Sequence, residues 1–102
     1  MLDASQNNVA NDTPRASILS EANALIHGDR QTHYGAPQEN FARIARLWSV
    51  YFGVRISPAD VAMAMVLLKA ARAIKSYTRD TAVDIAGYSA LWAELSENTP
   101  NG

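Results

Sequence analysis

Four α-helices and no strand are what this sequence predicts, on three observations. Apolar residues recur at three- and four-residue spacing in four separate stretches. Helix-start and helix-stop residues flank those stretches where they should. The single β-like run, Val54–Arg55–Ile56, is short enough to be only a connector. Short links between most of the stretches make the expected architecture all-α and four-helix bundle-like.

The first helix is expected from about Ala16 to Ile26. Ile18, Leu19, Ala22, Leu25 and Ile26 share a face, and Gly28 follows as a stop. The second starts near Pro37, a residue suited to the first turn because its missing N–H would find no helical partner there. It sets Phe41, Ile44, Ala45, Trp48, Tyr51 and Phe52 on one face, with Arg43, Arg46 and Ser49 on the other, and ends at Gly53. The third has Ser57 as N-cap, Pro58 at the first helical position and Asp60 as the acid of a capping box. Every residue from Val61 to Leu68 is apolar, so this helix is expected at the centre of the core. The fourth runs from about Asp80 to Leu95, with Ile85, Tyr88, Trp92 and Leu95 on one stripe. Residues 1–15 read as a disordered arm, 16–96 as the helical domain and 97–102 as a frayed tail.

Composition narrows the function classes. The chain has 102 residues and 48% hydrophobic content, which fits one globular domain. So short a chain buries a modest share of its surface, and self-association into a homo-oligomer is expected. The absence of cysteine removes a disulfide scaffold, a thiolate zinc site and a cysteine nucleophile. No run approaches the roughly 20 apolar residues of a membrane span, and the N-terminus lacks the basic start and apolar core of a signal peptide. A cytoplasmic protein with no membrane association is the expectation.

The formal charge of -1 hides an uneven distribution. Arg43, Arg46, Arg55, Lys69, Arg72, Lys75 and Arg79 stand in the middle of the chain against Asp60 alone. The remainder carries Arg15 and Arg30 against nine acids. A basic middle in an acidic frame suits an anion such as a phosphate. The alternative is solvated helix faces and internal ion pairs. Sequence-specific DNA binding is not expected, because the cations are spread over three segments and make no groove-reading helix.

Two stretches could carry chemistry. In the third-to-fourth hairpin, Asp80, Asp84 and Tyr88 are four apart and line one face. With the turn centred near Tyr77–Thr78, Asp84 comes level with Arg72 and Asp80 with Lys75. The functional reading is a pocket in which carboxylates hold a divalent metal or an amine while Lys69 and Arg72 meet phosphate oxygens. The structural reading is an Arg72–Asp84 ion pair that fixes register. Gly87 interrupts the fourth helix at a cost of about 1 kcal/mol, which close packing on Ala70, Ala71 and Ala73, or on a ligand, would offset. The second stretch is the loop HGDRQTHYGAPQEN, longer than the usual 2–8 residues of a bundle link. There Arg30 could clamp an anion and Tyr34 stack a base; alternatively Asp29 and Arg30 only close the loop and Tyr34 covers the core. His27 and His33 have no metal-site spacing on a helix, and no Gly-rich phosphate loop, GxSxG or HExxH occurs.

Taken together, GDRQTHYG, PQENFARIARLWSVYFG, SPADVAMAMVLLKAARAIKS and VDIAGYSALWAEL resemble a family of small helical proteins found mainly in bacteriophages and prophages and known only as a domain of unknown function. The resemblance covers about residues 17–95 and implies a phage-encoded protein. More distantly, the four-helix layout with acids opening the last helix is similar to the MazG-like all-α nucleotide pyrophosphatases, in which paired carboxylates hold Mg²⁺ on a nucleoside triphosphate. That resemblance implies Mg²⁺ on Glu39, Asp80 and Asp84. This sequence departs from the pattern in having Arg43 where a second acid would stand and in the four-residue spacing of Asp80 and Asp84.

Three functions follow as expectations. The first is a Mg²⁺-dependent nucleotide pyrophosphohydrolase, with Lys69, Arg72 and Arg30 on phosphates and a metal-activated water cleaving between the α and β phosphorus atoms. The second is a non-catalytic nucleotide sponge or sensor acting against host defence, with Tyr34 and Tyr88 as stacking surfaces. The third is an interaction module built on Trp48, Tyr51, Phe52 and Trp92.

Overall fold

A computed structural model describes residues 13–28, 33 and 35–98 of the chain. Four helices and no strand occur among them: α1 (Pro14–His27), α2 (Pro37–Phe52), α3 (Pro58–Ala73) and α4 (Arg79–Glu97).

Each start has a local cause. Thr13 caps α1 by accepting from the Ala16 N–H at 3.2 Å, with Pro14 leading the first turn. The helix therefore begins two residues before Ala16. Pro37 opens α2 with no side-chain cap, and Gly53 closes it in the left-handed region (φ 71°), its N–H donating to the Ser49 carbonyl at 2.9 Å. The capping box of α3 is complete: the Asp60 N–H donates to Ser57 Oγ at 3.1 Å, and the Ser57 N–H to Asp60 Oδ2 at 2.9 Å. Thr78 caps α4, accepting from the Thr81 N–H at 3.1 Å.

Short links fold α2 back on α3 and α3 back on α4, while α1 packs on the far side of α4. Inner helices α3 and α4 thus each have two neighbours, and outer helices α1 and α2 each have one principal neighbour. The main core cluster joins Phe41 and Ala45 of α2, Ala59, Val61 and Ala62 of α3, and Tyr88, Leu91 and Leu95 of α4. Phe41 and Tyr88 meet across it with ring centroids 6.4 Å apart. Full burial of each large side chain contributes about 1.5–3 kcal/mol.

The expectation that α3 is buried all round is met only in its first half. Ala59, Val61 and Ala62 are buried, but Leu67 and Leu68 are exposed. Two neighbours cover only two sides of a helix, and these leucines lie where neither neighbour reaches. The aromatic face of α2 likewise divides. Phe41 is buried and Trp48 half-buried, whereas Tyr51 and Phe52 are exposed and pack edge-to-face on each other, centroids 5.1 Å apart.

Gly87 is buried, but its neighbour is not the alanine run of α3. A Cβ at this position would stand 3.2 Å from Ile26 Cγ2, so the glycine lets α1 approach α4. Arg79 ties the same two helices at their exposed ends, with its Nε donating to Glu21 Oε2 and its Nη2 to Ser17 Oγ, each at 3.0 Å.

Candidate functional site

Residues Met65 of α3 and Tyr88 of α4 lie between two features that together make a candidate ligand site. On one side is a cleft of about 240 Å³ whose lining is Asn40, Phe41, Ile44 and Trp48 of α2, Val61 and Met65 of α3, and Tyr88 of α4. It forms because α2 and α4 both lean on α3 and leave a gap over it. On the other side is an ion pair. Lys69 stands one turn after Met65, and Asp84 one turn before Tyr88, and Lys69 Nζ reaches Asp84 Oδ2 at 3.0 Å.

The register differs from the one expected. Arg72 was to meet Asp84 across a turn centred near Tyr77–Thr78; Lys69 meets it instead. With α3 ending at Ala73 and α4 starting at Arg79, the turn is centred on Ser76, earlier than assumed. Moving the centre back shifts the partner of Asp84 by about one helical turn, from Arg72 to Lys69. Arg72 is exposed, and Lys75 lies in the link rather than opposite Asp80.

The Lys69 and Asp84 side chains retain only 18% and 20% of their exposure. Charges this far out of water require partners, and each is supplied by the other helix. The pair can fix register, and it also sets a cation and an acceptor one helical turn from an apolar cleft.

The proposed metal ligands are not gathered. Among the described residues no three His, Asp or Glu side chains come together as a metal-binding group. Glu39 and Asp80 are exposed in the first turns of α2 and α4, whereas Asp84 is half-buried against Lys69. The trio Glu39, Asp80 and Asp84 therefore does not fit a shared Mg²⁺. Arg30 and Tyr34 lie outside the described residues.

A second cavity, of about 350 Å³, opens between the end of α1, the start of α2 and the last turns of α4. Its polar lining is Asn23, His27, Gln38 and Glu94, without lysine or arginine, and Gln38 Nε2 approaches Glu94 Oε2 at 3.5 Å beside it. Among the described residues it has no lysine or arginine to meet a phosphate.

Sequence reasoning overlooked Ser49. Its Oγ accepts from the Ile56 N–H at 2.9 Å and lies 2.7 Å from the Ala45 carbonyl, joining α2 to the link that follows it. Period alone placed Ser49 on the polar face, and only the path of the link reveals its task. The cleft itself was also missed, because half-buried Ile44, Trp48 and Met65 look like core in any periodic reading.

Residues 17–96 match the family model described as Domain of unknown function (DUF6378). The chain belongs to this family. Two curated relatives are phage proteins. The Gene 55 protein of Mycobacterium phage L5 is 45% identical over 92 residues, covering 84% of this chain and 59% of the relative. The Gene 55 protein of Mycobacterium phage D29 is 46% identical over 87 residues, covering 84% and 58%. The DUF6378 chain thus spans a little under three fifths of the length of these relatives. No solved structure matches it. Among the described residues, no helix is long and apolar enough to cross a membrane.

Proposed function

We propose that this DUF6378 domain binds a nucleotide in the cleft between α2, α3 and α4 without metal-dependent cleavage. The observation that carries this reading is an apolar, aromatic-lined cleft with a half-buried lysine–carboxylate pair one helical turn from its Met65 and Tyr88. Small-ligand sites are mostly apolar, with a few fixed polar groups, and span roughly 300–1,000 Å³. A cleft of about 240 Å³ suits one planar ring system, with the rest of the ligand outside. Phe41, Trp48 and Tyr88 offer ring faces for a base, and the Asn40 side-chain amide can both donate to and accept from a base edge. Phosphates leaving the cleft past Met65 reach Lys69 and then exposed Arg72 and Lys75.

Binding of an anion there redistributes charge instead of adding cations. Phosphate oxygens compete with Asp84 for Lys69, and Arg72, which has no ion pair among the described residues, supplies the second charge. The support for binding over hydrolysis is the scattering of Glu39, Asp80 and Asp84. In a phage setting, such a protein acts as a sponge or sensor for a host signalling nucleotide.

Thermal denaturation against a panel of mono-, di-, tri- and cyclic nucleotides tests the proposal. Stabilisation by at least one nucleotide, with no turnover of it, is expected. Pyrophosphate release in the presence of Mg²⁺ would shift the assignment to the pyrophosphohydrolase reading, and no stabilisation by any nucleotide would remove both.

A further inference from the structure

The basic middle of the chain divides in the fold, and the division points to a second site. Lys69 and Arg79 are paired with Asp84 and Glu21. Arg72 lies in the last turn of α3 and Lys75 in the link after it. The other three, Arg43, Arg46 and Arg55, belong to α2 and its exit, are exposed, and have no ion pair among the described residues.

Beside these arginines runs an apolar stripe that no other part of the described chain covers. Leu47, Val50 and Tyr51, at i, i+3 and i+4 of α2, are 66%, 84% and 84% exposed, and Val54, in the link just past Gly53, is 59% exposed. This is the spacing by which one helix presents a ridge to another. Helix α2 has its principal contacts with α3 alone, so its outer face is open. Solvated helix faces normally carry polar residues at such positions.

We infer that the outer face of α2 docks an acidic amphipathic helix of a partner protein. The stripe Leu47, Val50, Tyr51 and Val54 would take the partner's apolar ridge, while Arg43, Arg46 and Arg55 would take its carboxylates. Charge decides between this occupant and a second copy of the chain. A symmetric pair uses the same patch on both copies. In an antiparallel pair centred on the stripe, the end of α2 that carries Arg55 in its link comes toward the end of the other copy that carries Arg43 and Arg46. A parallel pair sets each arginine against itself. Either arrangement brings like charges together, at a cost that an acidic partner turns into attraction. An anionic lipid surface would gain about 1 kcal/mol per arginine, and the vesicle arm of the test separates it from an acidic helix.

The probe is a fluorescein-labelled helical peptide of about 18 residues, with leucines at i, i+3, i+4 and i+7 and glutamates flanking them. A second peptide carries glutamine for every glutamate. Fluorescence anisotropy with the full chain is expected to show binding of the acidic peptide, about tenfold tighter than the glutamine peptide and weakening as salt rises. Arg43→Glu/Arg46→Glu and Leu47→Ser/Val50→Ser are each expected to weaken it about tenfold or more while leaving the circular dichroism unchanged. Equal binding of both peptides, or of neither, would overturn the inference. So would preferential binding to phosphatidylglycerol–phosphatidylcholine vesicles, lost in Leu47→Ser/Val50→Ser, which would assign the stripe to lipid. A dimer in sedimentation that the same double substitution abolishes would assign it to a second copy.

Discussion

Lys69 of α3 and Asp84 of α4 meet at 3.0 Å, and this contact links the register of the hairpin to the chemistry of the cleft. A pair so placed is intermediate between an exposed bridge worth under about 1 kcal/mol and a buried one whose rupture costs about 3–5 kcal/mol. Asp84→Asn is therefore expected to destabilise the fold by about 1–3 kcal/mol, read from urea denaturation. A double-mutant cycle with Lys69→Met should return a coupling of about 1 kcal/mol. Arg72→Ala should couple with neither residue and cost under about 0.5 kcal/mol. Coupling of Asp84 to Arg72 instead of Lys69 would restore the register expected from the sequence.

At Gly87 of α4 an added Cβ would stand 3.2 Å from Ile26 Cγ2 of α1. Gly87→Ala gains about 1 kcal/mol of helix propensity but presses a methyl on Ile26 Cγ2. The single substitution should be near neutral or destabilising. Ile26→Leu removes that β-branch methyl, so the pair Gly87→Ala/Ile26→Leu should exceed the sum of its parts by about 1 kcal/mol in thermal unfolding. Strict additivity would mean that the glycine serves something other than this contact.

Ser49 is expected to behave as a structural staple. Ser49→Ala leaves the half-buried Ile56 N–H without its acceptor, at a cost of about 1–3 kcal/mol. Hydrogen exchange should then report faster exchange at the Ile56 amide, with the α4 amides little changed. Uniform acceleration through the chain would mean that Ser49 acts on global stability and not on the link.

The caps make a matched comparison. Ser57→Ala removes the Oγ acceptor of the α3 box and should cost about 1 kcal/mol, a fall in Tm of about 4–8 °C for a domain of this size. Ala36→Ser gives the uncapped start of α2 a side-chain acceptor and should raise Tm by a comparable amount. A Tm unmoved by Ser57→Ala would show that packing alone sets the start of α3.

Helix identity was legible in the sequence because the signals were local. Ser57, Pro58 and Asp60 announce α3, and Gly53 ends α2, whatever the helices pack against. Burial was less legible, since it depends on how many neighbours a helix has. The apolar run Val61–Leu68 reads alike throughout, yet Val61 is covered and Leu67 is not, because none of the four described helices lies on that side. Register failed for a similar reason: the turn centre depends on where α3 stops, and Ala73–Ile74 carries no stop signal. The candidate site combines both cases. Asp84 and Tyr88 were named from spacing and Lys69 from its charge, while the cleft beside them exists only through the splay of α2 and α4.

The central claim, a nucleotide in the cleft between α2, α3 and α4, is tested most directly by isothermal titration of the nucleotide that stabilises the chain best. Wild-type protein, Lys69→Met and Ile44→Phe are compared, each first shown to be folded. The expected result is one saturable site, weakened about tenfold or more by Lys69→Met through loss of a charged contact, and similarly by Ile44→Phe through filling of the cleft. Equal affinity in all three proteins would place the nucleotide elsewhere and contradict the assignment of the cleft.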